Sequence, residues 1–150
     1  KNPVLADRFY GFCRAMMEAG ILVTQNHILV DRDENGHYAL SASQLSHIPT
    51  AFICSRDSSA YQLLKILKEK NIRVPEDVSI TGFDDYILSS LCTPKITTYS
   101  IDVAKLTDSC IWLLLDRIAQ PDRPLRHIVI SGKIMERDSV RTLSTNLEPR

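Results

Sequence analysis

The sequence predicts an α/β fold, an open parallel sheet with flanking helices, on three observations. Residues 51–54 are a short apolar run, Ala-Phe-Ile-Cys. A helical segment follows in which Tyr61, Leu64 and Leu67 recur on one face with Leu63 and Ile66 alongside. A second apolar run then ends in Gly82-Phe83-Asp84-Asp85. Two short strands joined by a helix cannot form a hairpin, so they lie parallel with a right-handed crossover. Ligands of such sheets sit beyond the carboxyl ends of the strands, which directs attention to Ser55-Arg56-Asp57 and Asp84-Asp85.

In chain order, the first helix is expected from about Val4. It carries Leu5, Phe9, Phe12 and Met16 on one face, and Gly20 stops it. Arg8 stands beside that face, from where its guanidinium can reach a cleft at the helix's amino end. Residues 28–30 read as a strand, 31–36 as a polar loop and 37–45 as a short helix. Asp31, Asp33 and Asn35 alternate as in a calcium loop with Gly36 next, yet position 42, where that loop needs a glutamate, is alanine. No metal is expected there. Asp57 is expected to cap the helix over 58–70, and Asp85 to be a loop or cap residue. Residues 86–92 are short and apolar, and 95–99 are β-branched and read as a strand. Ser100 can cap a long helix over 101–119, whose apolar stripe is Val103, Leu106, Cys110, Leu113, Leu114 and Ile118 with Trp112 to its side. A polar turn over 120–124 leads to an expected strand over 127–130. From Thr142 the chain reads as a frayed tail.

Composition narrows the function classes. The 150 residues suit one domain with a real core, and 18 basic against 18 acidic residues give no global attraction to nucleic acid. The four cysteines, Cys13, Cys54, Cys92 and Cys110, are widely spaced and read as buried free thiols of a reducing cytoplasm. No apolar run is long enough to span a bilayer, and Lys-Asn-Pro does not open a signal peptide, so neither insertion nor export is expected. G-x-S-x-G, H-E-x-x-H and a Gly-rich phosphate loop are missing, and His27, His37, His47 and His127 lack metal-ligand spacing. An enzyme and a cofactor are therefore not expected.

The motifs together carry a resemblance. The order P-T-A-F-x-C-x-x-D, a helix, R-V-P-E-D-V-S-I-T-G-F-D-D, then T-P-K-I-T-T and G-K-I-M-E-R-D-S resembles the effector-binding half of LacI/GalR-type transcriptional regulators, from about Arg8 to Ser139. The resemblance implies a periplasmic-binding-protein-like (type I) module of two α/β lobes, here mainly the carboxyl-terminal lobe. Residues 1–98 would form that lobe, 99–126 would cross into the amino-terminal lobe, 127–141 would return, and 142–150 would be the tail. Most of the amino-terminal lobe would precede Lys1, so the helix over 101–119 is expected to be displaced, swapped or packed on a neighbouring copy. The implied partners are a small sugar-like effector and a second copy of the chain. The helix that begins near Ser58 and the segment 86–92 would help to form the homodimer interface. DNA would be met only through a headpiece outside this chain.

The resemblance also assigns site residues and exposes departures. Arg8-Phe9-Tyr10-Gly11-Phe12 matches a motif whose arginine grips polar groups of the effector. Asp84 matches an aspartate that accepts hydrogen bonds from the effector or orients that arginine. Arg32 occupies the place of an aromatic that usually stacks on the effector, Arg56 replaces an asparagine that contacts it, and Ile101 stands at an often polar crossover position. The expected ligand-binding set is thus Arg8, Arg32, Arg56 and Asp84. Three arginines converging on one cleft suit an anionic effector, such as a phosphorylated sugar or a sugar acid, because buried unpaired cations are costly. Equally, Arg32 and Arg56 could be solvated or pair with Asp31, Asp33 and Asp57. Two other classes remain compatible with the residues, a sugar-binding receptor of a transport system and a degenerate effector domain kept for dimerisation.

Overall fold

The computed structural model describes residues 3–142, with the order α1 (Pro3–Glu18), β1 (Ala51–Ile53), α2 (Asp57–Glu69), β2 (Ser79–Phe83), α3 (Ile87–Leu91), β3 (Thr97–Ser100), α4 (Val103–Ala119) and β4 (Lys133–Met135). The expected tail falls outside these residues apart from Thr142 itself. The strands form one sheet in the order β1-β2-β3-β4. β1, β2 and β3 are parallel, with Phe52 beside Ile80 and Phe83 beside Tyr99. β4 runs antiparallel to β3 and pairs Ser100 with Lys133. The reason is topological: the chain leaves the sheet at the carboxyl end of β3, makes the α4 excursion, and re-enters at that same end. A mixed open sheet results.

The core lies between α2 and one face of this sheet. Ala60, Leu63, Leu64 and Leu67 of α2 pack with Ile80 of β2 and with Val78 just before it, and Ile96 and Leu45 close the cluster. The expected helical period therefore buries the side chains it selected. Asn71, at φ 58°, ends α2 while the Ile72 N–H donates to Leu67 O. Gly20, at φ 73°, ends α1 in the same manner, with the Ile21 N–H on Met16 O.

Several expected elements differ. Residues 28–30 and 127–130 form no strand. Val30 and Val129 are exposed, and neither segment finds a neighbour whose ladder it could complete. In place of a helix over 37–45 the chain forms a bridge between Arg32 and Tyr38 and a single 3₁₀ turn, Ala42–Gln44. Asp102, rather than Ser100, caps α4, accepting from the Lys105 N–H at 2.9 Å. α4 has no buried residue: Val103, Leu106, Ile111, Trp112, Leu114, Leu115 and Ile118 are all exposed. The Arg126 guanidinium lies 4.9 Å from the Trp112 ring.

The closing motif fastens the sheet. The Ser139 hydroxyl is wholly buried, donates to Ile80 O at 2.6 Å and accepts from the Thr97 N–H at 2.8 Å, while Ser139 O accepts from the Ile80 N–H. One residue thus bridges β2 and β3 where their own ladder begins.

Candidate functional site

The carboxyl ends of β1 and β2 and the first residue of α2 meet at one place. Arg8 reaches it from α1: its guanidinium donates to Ser55 O at 2.6 Å and to Asp84 Oδ1 and Oδ2 at 2.7 and 3.4 Å. It also lies 3.8 Å from the centre of the Phe83 ring, which packs on Tyr99 with centroids 5.0 Å apart. A charged fork held by a carboxylate, a carbonyl and an aromatic face is fixed in direction as well as charge. Asp84 and Asp85, at φ 103° and 54°, make the tight turn that aims one carboxylate at Arg8 and the other the opposite way.

Asp85 meets Arg137. The Arg137 guanidinium donates to Asp85 Oδ1, to Ser89 Oγ at 2.8 Å and to Ile96 O at 2.9 Å. This pairing holds the Asp85 carboxyl below the usual carboxylate range. Asp85 is the loop residue the sequence suggests, and it is also one half of a half-buried ion pair.

Asp57 departs from its expected role as a cap. It is the first residue of α2, after Arg56 at the cap position, and its side chain points inward instead of capping. At 1% exposure it accepts from the Thr98 hydroxyl and from the Tyr86 N–H, each at 2.6 Å. Burial raises its pKa, those two hydrogen bonds pull the other way, and the nearby Asp84 and Asp85 carboxylates push it up further. Gly82 makes room for it: a Cβ there would overlap Asp57 Oδ1 and stand 3.2 Å from Asp57 Cα. Beside it the Cys54 thiol is pushed up to about 12, chiefly by burial, which leaves it inert as a nucleophile at neutral pH.

Arg56, Asp57, Ser58, Asp84 and Tyr86 line a cavity of about 230 Å³. Among the described residues Arg56 has no side-chain hydrogen-bond or ion-pair partner, so it does not pair with Asp57. Arg32 does not line this cavity and pairs with neither Asp31 nor Asp33. It donates to Gly36 O at 2.7 Å and stacks on Tyr38 at 3.9 Å, both within its own loop. That loop is nevertheless tied to α2, because Asp31 accepts a hydrogen bond from the Ser59 hydroxyl. Asp33 Oδ1 accepts from the Asn35 and His37 N–H groups, so it shapes the turn, and no metal-holding cluster of acids, histidines or cysteines occurs among the described residues. Of the four expected site residues the structure thus joins Arg8 to Asp84, sets Arg56 across the cavity from Asp84, and leaves Arg32 in its loop. Sequence reasoning missed the inward role of Asp57 and the parts played by Gly82, Thr98 and Arg137. The signal for Arg137 was its place in E-R-D-S, and that for Gly82 its place in G-F-D-D.

Comparison with known proteins identifies the family and the fold. The family model described as a periplasmic binding protein-like domain matches residues 1–140. The chain is 33% identical over 141 residues to the HTH-type transcriptional repressor PurR of Vibrio atlanticus, covering 92% of this chain and 42% of the relative. It is 36% identical over 139 residues to PurR of Salmonella arizonae, covering 90% and 40%. Among solved structures, a LacI family transcriptional regulator from Enterococcus faecium with bound ribose superposes with a TM-score of 0.74 at 25% identity, over 93% of this chain and 52% of that one. The chain spans less than half the length of the curated relatives it matches, and those relatives are repressors, not enzymes. No helix among the described residues is long and apolar enough to cross a membrane. The chain belongs to the periplasmic binding protein-like domain family, in the form that LacI-family transcriptional regulators use as their effector-binding domain.

Proposed function

We propose that the chain is the ligand-binding and dimerising part of a cytoplasmic LacI/GalR-type regulator whose effector is a small, sugar-like anion. The observation that carries the reading is Arg56, a half-buried guanidinium at the cavity with no partner among the described residues, while Arg8 is already matched by Asp84. A carboxylate or phosphate group entering the cavity supplies the missing partner. The Arg8–Asp84 pair offers polar contacts for sugar hydroxyls. Support for a sugar body comes from the relatives: the Enterococcus faecium regulator holds ribose, and a CelR regulator of the same fold is a cellobiose complex.

In this reading residues 99–126, with the uncovered apolar α4, belong to a second lobe. The effector bridges the two lobes and shifts the population of their arrangements, and a dimer transmits the shift to DNA-binding headpieces outside this chain. A thermal-shift panel on the full-length protein with neutral sugars, sugar phosphates and sugar acids tests it. Stabilisation by a phosphorylated or acidic sugar is expected, and stabilisation by neutral sugars alone contradicts the anionic effector.

A further inference from the structure

Asp57 is buried and absent from the contacts proposed above, yet it touches both walls of the cavity. One wall is the start of α2, which carries Arg56 and Ser58 on either side of Asp57 itself. The other is the turn between β2 and α3, which carries Asp84 and Tyr86. The Asp57 carboxylate joins them through the Tyr86 N–H, and is itself fixed from β3 by the Thr98 hydroxyl and from below by the bare backbone of Gly82. The Tyr86 N–H has no alternative acceptor in α3, because that helix begins one residue later. The charged groups that bear on Asp57 are Asp84 and Asp85 from the turn, held in turn by Arg8 and Arg137.

We propose that Asp57 is a positioning residue of the effector site: its carboxylate clasps the α2 wall to the β2–α3 turn and so sets the spacing between Arg56 and Asp84 across the cavity. This role rests on the effector reading of the cavity, and its test separates the two. The clasp needs an acceptor of the right shape, not a charge, since an asparagine amide can accept from the Tyr86 N–H with its oxygen and turn its nitrogen toward Thr98 Oγ1.

Amide hydrogen exchange on the full-length protein, without ligand, compares Asp57→Asn and Asp57→Ala with wild type. In Asp57→Ala the peptide covering residues 84–88 should exchange about tenfold faster while the α2 core over 60–67 changes by less than about twofold. Asp57→Asn should restore protection of 84–88. If Asp57→Ala does not fold, Thr98→Val, which removes one of the two fixings, should give about a threefold local rise instead. Unchanged exchange over 84–88, or a rise spread equally over α2 and the turn, overturns the proposal, the latter because it marks a role in global stability only. A second arm titrates ribose 5-phosphate by calorimetry. Retained affinity in Asp57→Asn with about a tenfold loss in Asp57→Ala supports positioning, and an equal loss in both overturns it in favour of charge. Absence of heat from wild type counts against the sugar phosphate as effector, and the exchange arm still decides the clasp.

Discussion

Gly82→Ala lowers stability by roughly 3 kcal/mol, the upper range for overpacking a filled interior. The added methyl enters space already held by Asp57 Oδ1, and it cannot be accommodated by a swing of that carboxylate alone. Swinging it would abandon the Thr98 and Tyr86 hydrogen bonds and leave a buried carboxylate unsatisfied. Even then Asp57 Cα stands 3.2 Å from the methyl, so α2 must also lift from β2. For a chain of this size the change corresponds to a fall in Tm of roughly 6 to 12 °C. The double variant Gly82→Ala with Asp57→Ala should be less destabilised than the sum of the two single ones, because the same contact is lost in each. Additive effects would show that the close approach is relieved elsewhere.

Arg137→Ala removes a comparable amount, about 3 kcal/mol, through a different cause. The guanidinium satisfies Asp85, Ser89 Oγ and Ile96 O together, from the closing motif to the turn after β2 and the start of β3. Truncation leaves a half-buried carboxylate without its hydrogen-bonded cation. The pH dependence follows from sign. Asp85 is held below its ordinary range by Arg137, so the stability it contributes is fully present above the ordinary value and is lost as pH falls from there through the lowered folded-state value. The gap in Tm between wild type and Arg137→Ala should therefore be wide at neutral pH, begin to narrow near about pH 3.9, the ordinary aspartate value, and go on shrinking at lower pH. A gap that stays constant down to acid pH would mean that Arg137 acts by packing and not by pairing with Asp85. Asp57 works in the opposite sense, since burial raises its pKa, and it costs stability as pH rises toward neutrality.

The parts of the fold legible in the sequence were those where one period or one stop residue decided the outcome. The α2 stripe of Leu63, Leu64 and Leu67 and the Gly20 stop of α1 are local signals that survive packing. The expected strands at 28–30 and 127–130 had equally apolar sequences but no neighbour to pair with, and pairing is a tertiary event that composition does not record. β4 could not be read as antiparallel until the α4 excursion was seen to leave and re-enter at one end of the sheet. At the site, Asp84 was legible because it follows the end of a predicted strand, and Arg8 through the match of Arg8-Phe9-Tyr10-Gly11-Phe12 to a motif. Asp57 was not, because its residue type and place before a helix fit a cap equally well, and only Gly82 beneath it lets the side chain turn inward. Arg32 was placed by register alone, and Tyr38 in its own loop offered a nearer partner than the cavity.

Calorimetry on the full-length protein decides whether Arg56 meets an anionic effector as proposed, with ribose and ribose 5-phosphate titrated in parallel into wild type and Arg56→Asn. The expected result is tighter binding of the phosphorylated sugar to wild type and a loss of about tenfold to a hundredfold for it alone in the variant, equivalent to one charge-assisted contact. Equal affinity of both sugars for wild type, or an Arg56→Asn variant that binds ribose 5-phosphate as well as wild type does, would show that Arg56 does not hold the effector's anionic group.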